Sequence, residues 1–184
     1  MTKYVQSILG ISLLAMSAAV CAADGISFEV GRTASSQDAD VNLYRIGMQW
    51  DWKKQWLNTG NWSLGGYWDL GLGYWDNRSI DKTNNSIAEI ALTPVFRWQQ
   101  NSPRGFSPYV EAAIGFHLLS HTSVSQQRRF GTAFQFGDHV GAGFRLGDKG
   151  QYDIGYRYQH LSNASIKQPN HGINFHQLRL QYHF

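Results

Sequence analysis

His160 stands two residues before Ser162, and Asn174 follows twelve residues after the serine. A serine hydroxyl is a weak nucleophile until a neighbouring base takes its proton, and an imidazole within reach is a common base for that purpose. A third side chain that accepts a hydrogen bond from the other ring nitrogen holds the ring in the useful tautomer. Ser162, His160 and Asn174 therefore form a minimal set for attack on an ester carbonyl. Spacing alone does not decide the matter, because a histidine and a serine are also ordinary residues near a membrane interface. The decisive question is which face of which element carries them.

Those elements are strands. The chain has 184 residues, 42% hydrophobic, only 16% charged and 14% aromatic, with 19 glycines and 4 prolines. Its hydrophobic pattern alternates with a period of two, which marks strands rather than helices. Eight segments read this way, at about 25–34, 41–52, 62–75, 87–99, 108–119, 131–146, 151–162 and 172–184. In the second, Tyr44, Ile46, Met48 and Trp50 alternate with Arg45, Gly47, Gln49 and Asp51. In the last, Leu178, Leu180, Tyr182 and Phe184 alternate with Gln177, Arg179, Gln181 and His183. Past the N-terminus no apolar run approaches the roughly 20 residues that a helical membrane span needs.

A soluble sandwich would alternate too. Here the polar faces carry both charge signs among many glycines, aromatics gather at strand ends (Trp50, Trp52, Trp62, Tyr74, Trp75, Trp98), and the chain ends on Phe184 in an alternating strand. These features predict an all-β fold: an eight-stranded antiparallel up-and-down transmembrane β-barrel with a side-chain-filled interior. Closure pairs every backbone group, which hydrocarbon demands. Eight strands enclose a lumen just wide enough for side chains, so a transport pore is disfavoured and any activity belongs on the rim or the outer wall. The stretches 76–86 and 120–130 read as polar loops.

Residues 1–22 read as a secretory signal, with Lys3 ahead of the apolar run Ile8–Val20 and small residues at Cys21 and Ala22. Residues 23–184 would then be the barrel. Cleavage removes Cys21, the sole cysteine, so the mature chain has neither disulfide nor thiol chemistry. Retention of Cys21 as an acylated first residue is the lesser alternative. Without Lys3, 15 basic side chains face 13 acidic ones, a formal +2 that is too weak to imply nucleic acid. No His/Asp/Glu set shows metal-ligand spacing, and no cofactor is implied.

The parity of the last two strands then places the chemistry. Tyr152, Ile154, Tyr156 and Tyr158 form the lipid side of the seventh, and the same parity puts His160 and Ser162 outward, with Leu161 inward. On the eighth, the parity of Leu178 and Leu180 puts Asn174 and His176 outward. The strands are antiparallel neighbours across the loop Asn163–His171, so the three groups converge at one end. With the N-terminus periplasmic, that end lies outside the cell, level with the outer leaflet. Polar side chains facing hydrocarbon are costly, and a cluster of them calls for a function. Asp138 also faces outward by parity, as a second polar notch or an interfacial acid; Asp153 faces inward at the other end.

The segment Gln159–Gly172, QHLSNASIKQPNHG, resembles the catalytic segment of the outer-membrane lipid A 3-O-deacylases (the PagL family). YRIGMQWDW from Tyr44, GYWDLGLGYW from Gly66, PYVEAAIG from Pro108 and FGDHVGAGFRLG from Phe136 are similar to that family as well. The resemblance implies an eight-stranded barrel in the outer membrane of a Gram-negative bacterium. It implies a serine esterase that hydrolyses the ester-linked 3-hydroxyacyl chain at the 3-position of lipid A, the lipid anchor of lipopolysaccharide. By position, Ser162 resembles the nucleophile and His160 the general base, while Asn170 with backbone N–H groups at Ala164 and Ser165 resembles the oxyanion stabiliser. The family pattern has Glu where this chain has Asn174, so the expected orienting group here supplies a hydrogen-bond acceptor without negative charge. Lys167 could meet a lipid A phosphate or be a solvated loop lysine. A non-enzymatic structural or adhesive barrel and an acyl transferase are the alternatives, and a homodimer is left open.

Overall fold

The computed structural model describes residues 23–34 and 38–184; the signal expected over 1–22 lies outside the described residues. The strands are β1 (Gly25–Thr33), β2 (Val41–Asp51), β3 (Trp56–Thr59), β4 (Trp62–Asn77), β5 (Ser86–Gln100), β6 (Ser107–Leu119), β7 (Phe134–Leu146), β8 (Tyr152–Ser162) and β9 (Ile173–His183). All pair antiparallel with their neighbours, β1 pairs with β9, and β2 pairs with β4. That last pairing closes a ring of eight strands. The short β3 is an appendage on the edge of β4, where Trp56 joins Trp52 and Phe96 in an aromatic cluster.

The burial pattern is inside-out relative to a soluble protein. Ile46 is 58% exposed, Ile114 64% and Leu72 53%, whereas Arg45, Arg97, Arg157 and Arg179 are buried. Buried charges require partners, and the lumen provides them. Arg45 reaches Glu29 at 2.8 Å and Glu89 at 3.0 Å. Arg97 reaches Glu111 and Asp153, each at 2.7 Å. Arg157 bridges Glu29 at 2.9 Å and Glu111 at 2.6 Å, and Arg179 bridges Glu29 at 3.0 Å and Asp69 at 3.2 Å. The Tyr67 hydroxyl accepts hydrogen bonds from Arg97 and Arg157 at the centre of this lattice. A wall that is apolar outside and charged inside suits a bilayer and excludes the sandwich.

Parity does not change along the strands, but the chemistry of the inner face does. Toward the rim formed by the ends of β8 and β4, the inward side chains become apolar. Leu43, Trp75, Ile87, Leu119, Leu161, Ile173 and Phe175 form one buried cluster there. Val124 and Phe130 from the loop between β6 and β7 complete it. That loop is therefore partly a lid on the lumen, not the wholly polar loop that its sequence predicts. Asn77 ties it down, its Nδ2 donating to the carbonyls of Asn84 and Val124 at 2.8 and 2.7 Å.

Candidate active site

Leu161 is fully buried in the rim cluster, and so are Ile173 and Phe175 on β9. Because successive strand residues point to opposite faces, these anchors turn His160, Ser162 and Asn174 outward. His160 and Asn174 are register partners on β8 and β9, and His160 Nδ1 lies 2.6 Å from Asn174 Oδ1. An amide oxygen can only accept, so Nδ1 carries the ring proton and donates it. In the neutral ring Nε2 then keeps the lone pair, the form a general base needs.

Ser162 lies on the same face, roughly 6.5–7 Å along the strand. No hydrogen bond joins its hydroxyl to the ring among the described residues. Rotation of the two side chains can close that gap, and catalytic contacts of this type commonly tighten when substrate arrives.

The loop after Ser162 is built around Asn163, which is fully buried. Its N–H donates to Asn170 Oδ1 at 2.9 Å, and its Nδ2 donates to the Lys167 carbonyl at 2.8 Å. This folds the chain back tightly enough to put Ala164 (φ 51°) and Ser165 (φ 63°) in the left-handed region. The Ala164 and Ser165 N–H groups donate to no protein acceptor among the described residues. With Asn170 Oδ1 engaged, its Nδ2 points away, making only a long 3.5 Å contact to Ser165 Oγ. The three expected oxyanion donors are thus gathered on one turn beside Ser162. Gly172 (φ +61°) closes the loop against the imidazole; a β-carbon there would lie 2.8 Å from His160 Cε1.

A brace that sequence reasoning missed comes from the β6–β7 loop. Arg128 Nη1 donates to the carbonyls of His171 (3.1 Å) and Gly172. The Arg129 N–H donates to His171 Nδ1 at 3.1 Å, and Phe130 bridges to Asn170. Burial against the loop pushes the Arg128 guanidinium down from its ordinary value. Outside this assembly, Asp153 is committed to the lumen, bonded to Arg97, Tyr109 and His183. Asp138 is exposed on the outer face of β7, opposite His160 in register. Lys167 is an exposed loop residue.

An inside-out barrel that carries His160, Ser162 and Asn174 on one rim of its outer wall has the architecture of an integral-membrane protein with polar side chains turned toward the bilayer. Residues 42–183 match the family described as Lipid A 3-O-deacylase (PagL). The lipid A deacylase PagL of Pseudomonas aeruginosa is 33% identical over 173 residues, covering 94% of this chain and 96% of the relative. Its namesake from Bordetella bronchiseptica is 35% identical over 184 residues, covering 97% and 96%. The crystal structure of the outer membrane enzyme PagL superposes with a TM-score of 0.75 at 32% identity, over 87% of this chain and 99% of that one. Neisserial surface protein A, at 10% identity and a TM-score of 0.52 over 87% of this chain and 95% of that one, shares the fold alone. The chain belongs to the PagL lipid A 3-O-deacylase family and is a hydrolase acting on an ester bond.

Proposed function

We propose that this enzyme releases the 3-hydroxyacyl chain ester-linked at the 3-position of lipid A, working from within the outer leaflet of a Gram-negative outer membrane. The observation that carries the reading is the outward-facing His160–Asn174 hydrogen bond beside Ser162. A lipid substrate reaches such a site laterally, and its ester carbonyl rides at headgroup depth while its acyl chain follows the apolar wall.

In the first step, the Ser162 hydroxyl proton passes to His160 Nε2 as Oγ bonds to the ester carbon. The oxyanion meets the Asn170 amide and the N–H groups of Ala164 and Ser165, donors aimed where negative charge develops. Collapse breaks the bond to the sugar oxygen, which leaves with the proton from Nε2. Water then repeats the sequence against the acyl-enzyme, freeing the hydroxy fatty acid and restoring Ser162. All the groups invoked belong to one chain, so a homodimer is not required for this chemistry.

The test is a mass spectrum of lipid A from cells expressing the wild type or Ser162→Ala. The wild type should remove one 3-hydroxyacyl unit and release it as free acid. Ser162→Ala should leave lipid A intact while still showing the heat-dependent gel migration of a folded barrel. Deacylation by the alanine variant would overturn the mechanism, and appearance of the acyl group on an acceptor would make the enzyme a transferase.

A further inference from the structure

Proton transfer to His160 creates an imidazolium, and Asn174 offers it a hydrogen bond but no charge. Of the two acids in β7, β8 and β9, Asp153 points into the lumen and Asp138 points out. Asp138 is the register partner of His160 on the strand opposite Asn174. Direct cross-strand neighbours on one face have β-carbons about 4.5–5.5 Å apart. Its other neighbours on that face are Phe136 and Val140 along the strand and Ile114 across it. The Asp138 carboxylate makes no hydrogen bond or ion pair among the described residues. A carboxylate set among apolar side chains on a lipid-facing wall is destabilising, and no hydrogen-bond or ion-pair partner among the described residues offsets it. Its one polar cross-strand neighbour is the ring that must become positive.

We propose that Asp138 is a positioning residue that supplies, through space, the negative charge the imidazolium of His160 needs and Asn174 does not provide. The histidine is thereby flanked by two divided functions. Asn174 sets its tautomer from β9, and Asp138 stabilises its protonated form from β7. At headgroup depth the surroundings are less polarisable than water, so a unit charge a few ångströms away retains its influence. The titratable groups facing the ring are Asp138 from β7, His176 diagonally from β9 and Tyr158 from β8 itself, and the Arg128 cation adjoins it through the Gly172 carbonyl. His176 is engaged by the Tyr156 hydroxyl, and the His171 ring on the adjoining loop accepts the Arg129 N–H. Asp138 is the anionic member of the set.

This inference rests on Ser162 and His160 being the reacting pair, which Ser162→Ala tests separately. Asp138→Asn and Asp138→Leu are compared with the wild type in micelles containing lipid A, with free hydroxy fatty acid measured across a pH series. Leucine is favourable on a lipid-facing wall, so the second variant guards against loss of folding, and gel migration verifies both. The plateau rate should fall about tenfold. The acid limb of the pH–rate profile should move to lower pH, because a ring without the carboxylate beside it stays neutral further into acid. Asp138→Glu should retain most of the rate. Adding Asn174→Glu to Asp138→Asn should restore both rate and limb, since it returns the charge from the other side. Unchanged profiles in both neutral variants would overturn the proposal, as would a lower rate with the limb unmoved.

Discussion

Gly172 shows how little freedom the imidazole has. Its backbone adopts φ +61°, and any β-carbon would press on the edge of the His160 ring. The left-handed conformation costs a non-glycine residue about 1–2 kcal/mol, and the contact adds displacement of the ring. Gly172→Ala should therefore lower deacylation about tenfold or more while the barrel still folds, measured as rate per folded molecule. Asn170 carries a double duty of the same kind in the proposed mechanism, since its oxygen holds the Asn163 N–H and its nitrogen is the group proposed to meet the oxyanion.

At the level of elements, the site is a strand end clamped by two loops. Arg128 joins them by donating to the carbonyls of His171 and Gly172. Arg128→Ala should loosen the turn that bears the proposed oxyanion donors and lower the rate several-fold. The temperature at which the folded gel form converts should hardly change, because the brace lies outside the barrel wall. Phe175→Ala should behave in the opposite sense. Phe175 is fully buried and meets Trp75 edge-on at 4.9 Å, and truncating a buried phenylalanine costs about 3–5 kcal/mol. Thermal conversion should shift down strongly, and activity should follow because Phe175 sits next to Asn174 on β9.

For the whole molecule, rigidity comes from the charged lumen. Arg157 contacts both Glu29 and Glu111 across the barrel. Arg157→Met should destabilise it by about 3–5 kcal/mol, the usual consequence of stranding one side of a buried ion pair. The thermal gel-shift assay would read that loss. Below the transition, deacylation per folded molecule should stay near that of the wild type, since the partners of Arg157 are the lumen groups Glu29, Asp69, Glu111 and Tyr67. An unchanged transition would mean that Arg45 and Arg179 suffice to hold Glu29.

Side-chain direction in a strand has a period of exactly two, so a run such as Tyr152–Ser162 discloses which of its residues face lipid before anything is known of its neighbours. For that reason the barrel, its filled interior and the outward placement of His160, Ser162 and Asn174 were all legible in the order of residues. Register and loop folding carry no such local signature. That Asp138 is level with His160 depends on how β7 slides against β8. The apolar rim beneath the site depends on Val124 and Phe130 folding back over the lumen. The two left-handed residues at Ala164 and Ser165 follow from the hydrogen bonds of Asn163 and Asn170 across the turn. These depend on contacts between segments far apart in the chain or on a closed loop geometry, and only the tertiary structure decided them.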